Sequence, residues 1–321
     1  MQIHGDQIWC SEVKEHKVVT EFNQFLLTQG FTPGESQSYK NFGYPQTYTH
    51  GNKTIICRFV DSVFLEHPTL WNQGTILTDN IPLHDVENRL ISVLPEFWHI
   101  WHFDPKYIDR DPTRSYNCFM NRVSGDRSIV FYELIRRGII EKGIVSYNCF
   151  RPGDQEDHSQ INYDWQYFSA ELIRYEEQHN LGRALIPYNT ITETLEQSII
   201  DSHLSLVLET YISDNHIVFS EKLFRVLQMP RPWLLYCSPQ SLHHLRKYGF
   251  DLLDDYVDHS YDNIVPHFER LNEIMNQLEK ARKYTRFDYV RFNQAAEHNR
   301  QLLLKFEQHW PAKLKAVKEQ L

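Results

Sequence analysis

The sequence predicts an α/β protein with two domains, and three observations carry that expectation. From Ser115 onward, short apolar segments alternate with amphipathic segments of 9 to 13 residues, the signature of strands joined by crossover helices. Capping residues and glycines punctuate the amphipathic segments where helices start and stop. The chain has 321 residues, against about 150 for an average domain. No Gly-, Ser- or Pro-rich linker, internal repeat or low-complexity tract marks a boundary.

In the first third, KTIICRFVD (53–61) reads as a strand, LHDVENRLISVL (83–94) as an amphipathic helix, and FWHIWHF (97–103) as a further strand. SYNCFM (115–120) is strand-like. DRSIVFYELIRRG (126–138) then has helical spacing at Ile129, Leu134 and Ile135, with Gly138 as its stop. IVSYNCF (144–150) is the next strand. TITE (190–193) has capping-box spacing, with LEQSII continuing the helix. HLSLVLET (203–210) is a strand, SEKLFRVLQ a helix and PWLLYC (232–237) a strand. SPQSLHHLRKYG is then a helix with Ser238 as cap, Pro239 at its first position and Gly249 past its end. In the tail, Ile264, Phe268, Leu271, Met275 and Leu278 recur at helical spacing, which predicts a helix docked on the domains rather than a free coiled coil. The expected division is an N-terminal α/β domain over 1–114, a second α/β domain over 115–262 and C-terminal helices over 263–321.

Composition narrows the function classes. Hydrophobic residues make up 41% and aromatics 14%, a globular balance with a heavy aromatic share. No apolar run approaches the roughly 18 to 20 residues of a membrane span, and MQIHGDQIWCSEVKEHK lacks signal-peptide layout, so a cytoplasmic protein is expected. Five cysteines without a Cys-x-x-Cys pair (Cys10, Cys57, Cys118, Cys149, Cys237) read as buried free thiols. The net charge of −9 argues against a general nucleic-acid coat. It is uneven, however: residues 264–321 carry +4 and the remainder −13.

The segment Ser220-Glu221-Lys222 sits at a helix start following a strand, where parallel sheets bind ligands. Two readings are open there. Ser220 is an ordinary N-cap with Lys222 solvated, or Lys222 and the first-turn N–H groups jointly hold an anion. His99, His102 and Asp104 make a poor metal site, because residues three apart on a strand face opposite ways. His243 and His244 diverge on a helix. NRVSGDR lacks the ending of a P-loop and the glycine spacing of a dinucleotide fold. Trp98, Trp101 and Trp233 suit either a core or a sugar-stacking face.

The stretch LSLVLETYISDNHIVFSEKLFRVLQMPRPWLLYCSPQSLHHLRKYGFDLLDDYVDHSYDNI, with NRVSGDRSIVFYEL upstream, resembles the donor-binding half of a fucosyltransferase-like glycosyltransferase family with members in tailed phages and giant viruses. The resemblance spans about 115–265. It implies a GT-B-like pair of Rossmann-like domains with a helical C-terminal extension. It also implies a nucleotide-sugar donor, with Glu221 on the ribose, Lys222 beside Ser220 on the diphosphate, and Arg127 and Arg122 reaching the same phosphates. Glu209 matches the family's strand-end acid, although Thr210 replaces the asparagine that follows. His259 replaces an acid in Asp258-His259-Ser260-Tyr261-Asp262.

The resemblance implies that cationic side chains do the work of a metal, so no metal and no cofactor are expected. A carboxylate general base is expected from the N-terminal domain, with Asp61 and Glu66 favoured over Asp79 and Asp85. The acceptor is a glycan, a protein or, on the phage side of the resemblance, a hydroxymethylated base in DNA. For DNA the expected contact is the basic stripe Lys280, Arg282, Lys283 and Arg286, whose bland alternative is a solvated helix face. A non-catalytic protein that keeps the fold is a further reading.

Overall fold

In the computed structural model, the residues described are 24–33, 47–51, 53–58, 75–78, 81–82, 90–92, 111–120, 125–147, 197–209, 212, 216–281 and 288–320. The protein is mixed α/β, with its best-packed region around a four-stranded parallel sheet.

Among the described residues the N-terminal sheet has five strands. β1 (Thr32–Pro33) and β2 (Thr47–His50) add antiparallel edges to β3 (Lys53–Arg58), which pairs parallel with β4 (Thr75–Thr78). β5 (Ile81–Pro82) leaves this sheet. β6 (Leu90–Ser92) returns to it and pairs parallel with β4, Ile76 opposite Leu90. The strand at β6 overturns the helix expected over 83–94 at that point. Leu-Ile-Ser-Val is a short apolar run whose spacing fits helix or strand, and pairing along β4 decides for the strand. Residues 83–89, 97–103 and 190–196 lie outside the described residues.

The second sheet has the order β11-β9-β7-β8, all parallel. β7 (Tyr116–Met120) leads through α1 (Gly125–Arg136) to β8 (Gly143–Tyr147). β9 (Ser205–Leu208) is followed by β10 (His216–Ile217), then by α2 (Glu221–Leu227) and β11 (Trp233–Tyr236). β10 pairs antiparallel with β5, so a two-stranded ribbon ties the two halves of the chain together. The expected elements over 115–147 and 203–237 are therefore present, and Gly138 closes α1 with a φ of +61° that favours glycine.

All four residues of β9 and of β11 are buried, as expected of strands covered on both faces. The helices α3 (Ser241–Lys247), α4 (His267–Ala281) and α5 (Tyr289–Gln320) complete the cover. α4 packs on β11 and α1, and α2 packs on β9 and α5. Leu271, Ile274, Met275 and Leu278 of α4 join the same core as the sheet, so the tail helix is docked as its spacing predicts. Phe268, included in that spacing, is instead exposed. α5 is held by Asn299, which donates to Leu227 O at 3.0 Å and Asp251 O at 2.9 Å and accepts from Asp251 N–H at 2.8 Å.

Gly143 lies opposite Tyr116 in the β7–β8 ladder. A Cβ there would stand 2.5 Å from two atoms of the Tyr116 ring. That ring is buried, and its hydroxyl donates to Ile139 O at 3.1 Å, so it has little room to yield. Gly143→Ala is expected to lower stability by about 1 to 3 kcal/mol through overpacking. An unchanged urea midpoint would contradict this placement.

Candidate functional site

The strand order sets the geometry of the candidate site. β7 and β9 are neighbours, with Cys118 opposite Leu206, yet β7 leads outward to β8 and β9 leads the other way to β11. Loops leaving their carboxyl ends therefore diverge, which is where open parallel sheets bind ligands. The sequence-derived donor residues that can be described fall on both sides of that divergence.

On the β9 side, Glu209 follows the strand directly and is buried. Its Oε1 accepts the Ser220 N–H at 3.0 Å, joining the strand end to the helix start. Ser220 is the N-cap of α2, with extended backbone and an Oγ that accepts from Lys222 N–H at 3.4 Å. Glu221 and Lys222 open the helix, and Lys222 is half-buried. Glu209 thus has a structural task in addition to the ligand contact that the resemblance implies.

On the β7 side, Arg127 lies in the first turn of α1 and is 4% exposed. Asp126 precedes it, in electrostatic reach of Arg127 and of His267 and Arg270 on α4. Burial holds the Asp126 carboxyl above its ordinary range even with these cations around it. Arg270 is buried, donating through Nη1 to Ile264 O at 2.6 Å and Val265 O at 2.7 Å.

The thiols nearby are inert. Burial pushes Cys118 up to about 12, against the pull of Arg127, and burial also raises Cys237, reinforced by Asp262 and Glu209. Neither is a thiolate nucleophile near neutral pH.

The Asp258–Asp262 run closes the edge of the sheet. The Tyr261 hydroxyl accepts the outward N–H of Leu235 on edge strand β11 at 3.0 Å. It donates to His259 Nδ1 at 3.1 Å, while His259 Nε2–H donates to Leu252 O at 3.0 Å, the tautomer assigned from this network. The histidine standing at the acidic position is therefore a buried structural group. Asp262 accepts the N–H groups of Leu242 and His243 at 3.1 Å each and caps α3. This corrects the expected start of that helix: Ser238 is not its cap, and left-handed Gln240 precedes Ser241. The capping oxygen comes from twenty residues downstream, beyond any local spacing rule.

Asp61, Glu66, Asp79, Asp85, Arg122, Thr210, Arg282, Lys283 and Arg286 lie outside the described residues, as do Trp98, Trp101, His99, His102 and Asp104. Lys280 is exposed at the end of α4, 3.9 Å from Glu273. Arg291, in the first turn of α5, pairs internally: its guanidinium reaches Asp251 at 2.6 Å and Asp255 at 2.9 Å. Trp233 is buried, which assigns it to the core. Asp126, His267 and Arg270 were not legible as a group. An aspartate in a first helical turn looks ordinary beside the dipole, and its cationic neighbours come from a distant helix.

Among the described residues no helix is long and apolar enough to cross a membrane, and no cluster of three His, Cys, Asp or Glu is arranged to hold a metal ion. No protein-family model matches the chain, and no curated protein matches it.

Proposed function

We propose that the protein is a glycosyltransferase that moves a sugar from a nucleotide-diphosphate sugar to an acceptor hydroxyl. The observation that carries this reading is the position of Arg127 and of Ser220-Glu221-Lys222 on opposite sides of the divergence between β7 and β9. In this reading the sheet over 116–236 is the Rossmann-like donor half of a GT-B-like pair, with the N-terminal sheet as the acceptor half.

Transfer breaks the bond between the anomeric carbon and the diphosphate oxygen. It forms a new bond to the acceptor oxygen, whose proton passes to a carboxylate base. Negative charge grows on the departing diphosphate. A lysine, an arginine fork and a helix start aimed at those oxygens stabilise it. The ligand's charge also answers why a lysine sits at the positive end of a helix dipole: an anion lies between them. Arg122 joins the phosphate contacts, Glu221 takes the ribose, and Asp61 or Glu66 supplies the base.

Metal independence is the sharpest chemical consequence. The sequence contains one Asp-x-Asp spacing, Asp109-Arg110-Asp111. Of these three only Asp111 is described; it is exposed and accepts a hydrogen bond from the Tyr289 hydroxyl. The test is release of nucleoside diphosphate from a set of nucleotide-sugars with and without EDTA. Turnover that persists in the chelator is expected. Turnover that requires added Mn²⁺ would overturn metal independence, and no release from any donor would count against transfer itself.

A further inference from the structure

Ser220 needs an acceptor for its own N–H. As the N-cap of α2 it stands in extended backbone and is buried, so that N–H has no partner inside the helix and no water to turn to. In a capping box the residue three after the cap reaches back with a Glu or Gln side chain. Here that residue is Leu223, which is apolar and buried. The acceptor comes instead from Glu209, eleven residues earlier, whose Oε1 takes the Ser220 N–H at 3.0 Å.

Glu209 is itself fixed in the sheet. It is buried, and its backbone N–H donates to Tyr236 O at 3.0 Å, which extends the β9–β11 ladder by one residue. A seven-residue helix does not hold itself in water, so the place of α2 is set by its attachments. At its far end Asn299 donates to Leu227 O at 3.0 Å, and Leu223, Phe224 and Leu227 lie in the core. At its start the attachment runs from Glu209 to Ser220, whose Oγ accepts the Lys222 N–H at 3.4 Å. β9 is also the neighbour of β7, the strand that leads to Arg127. One carboxylate at the end of β9 therefore sets where the helix start bearing Lys222 stands against the sheet that also carries Arg127.

We propose that Glu209 is a positioning residue, which holds the start of α2 so that Lys222 stands at the spacing from Arg127 that one diphosphate bridges. This rests on the glycosyltransferase reading and deepens it: the acid acts on the ligand through Ser220 and Lys222. The role needs an acceptor oxygen at the end of a side chain of this length. It does not need the charge.

The full chain is titrated calorimetrically with ADP, CDP, GDP, UDP and dTDP, and the diphosphate that the parent binds is carried to the variants. Glu209→Gln keeps the reach and the acceptor oxygen but drops the charge. Glu209→Asp keeps the charge and withdraws the acceptor by one carbon. Positioning predicts that Glu209→Gln binds within about twofold of the parent and that Glu209→Asp binds about tenfold more weakly. In a Lys222→Ala background, Glu209→Asp should cost little more, because its effect passes through the lysine. A glutamine variant that loses as much binding as the aspartate one, an aspartate variant that binds like the parent, or an aspartate loss that adds in full to Lys222→Ala would overturn the positioning role and leave the donor site standing. Thermal melting checks each variant, and where Glu209→Asp fails to fold the glutamine variant decides alone: parental binding supports the role and a tenfold loss overturns it. A parent that binds none of the five diphosphates would overturn the donor reading and this inference with it.

Discussion

Arg127→Ala and Lys222→Ala should each weaken nucleoside-diphosphate binding and slow transfer by roughly ten- to a hundredfold. That range corresponds to losing one charge-assisted contact of about 1.5 to 3 kcal/mol. The two residues stand in the first turns of different helices, α1 after β7 and α2 after β10. If they grip the same diphosphate, their effects should not simply add in the double variant, because each loses part of its value without the other. Arg127 is buried, so its removal also tests the fold. The Ser220 cap at this helix start accepts from the backbone N–H of residue 222, which an alanine keeps. Two variants with parental binding would contradict the site. Direct titration with nucleoside diphosphate measures it.

Acid should loosen the edge of the parallel sheet through His259. Burial holds this imidazole neutral down to about 4, below its usual 6.5, although Leu252 O and nearby carboxylates favour the charged form. A histidine with a lowered native value contributes stability that is complete above about pH 6.5 and is lost as pH falls towards 4. At about 1.4 kcal/mol per pH unit between those values, the loss is about 3 kcal/mol. The structural reason is specific. A protonated Nδ1 can no longer accept from Tyr261, whose oxygen satisfies the Leu235 N–H at the sheet edge. His203 and His244 are also held neutral by burial and add to the slope. The contribution of His259 is therefore read from a difference. Urea unfolding at pH 7 and pH 4.5 should show a clearly smaller loss in His259→Gln than in the parent. Equal losses would contradict the network.

What the sequence made legible follows from how local each cause is. α2 begins where Ser220 says it should, because an N-cap acts within three residues. β9 and β11 are legible because strands buried on both faces must be mostly apolar. α3 was misplaced at its start, since its capping carboxylate, Asp262, returns from across the fold. The partners of Arg291, Asp251 and Asp255, lie 36 to 40 residues earlier, beyond the reach of any local spacing. The helix starts that carry Ser220-Glu221-Lys222 and Arg127 were legible, because nearby sequence sets them. Asp126 was not, because its setting is made by α4 packing against α1.

A thermal-shift series with UDP-, GDP- and other nucleotide-sugars, and with the bare diphosphates, tests the central claim most directly. One nucleotide class should raise the melting temperature in a saturable way. At about 100 times the dissociation constant the stabilisation is roughly 2.7 kcal/mol. The shift should survive EDTA and shrink in Lys222→Ala. A flat response to every nucleotide-sugar and nucleoside diphosphate at millimolar concentration would contradict the account.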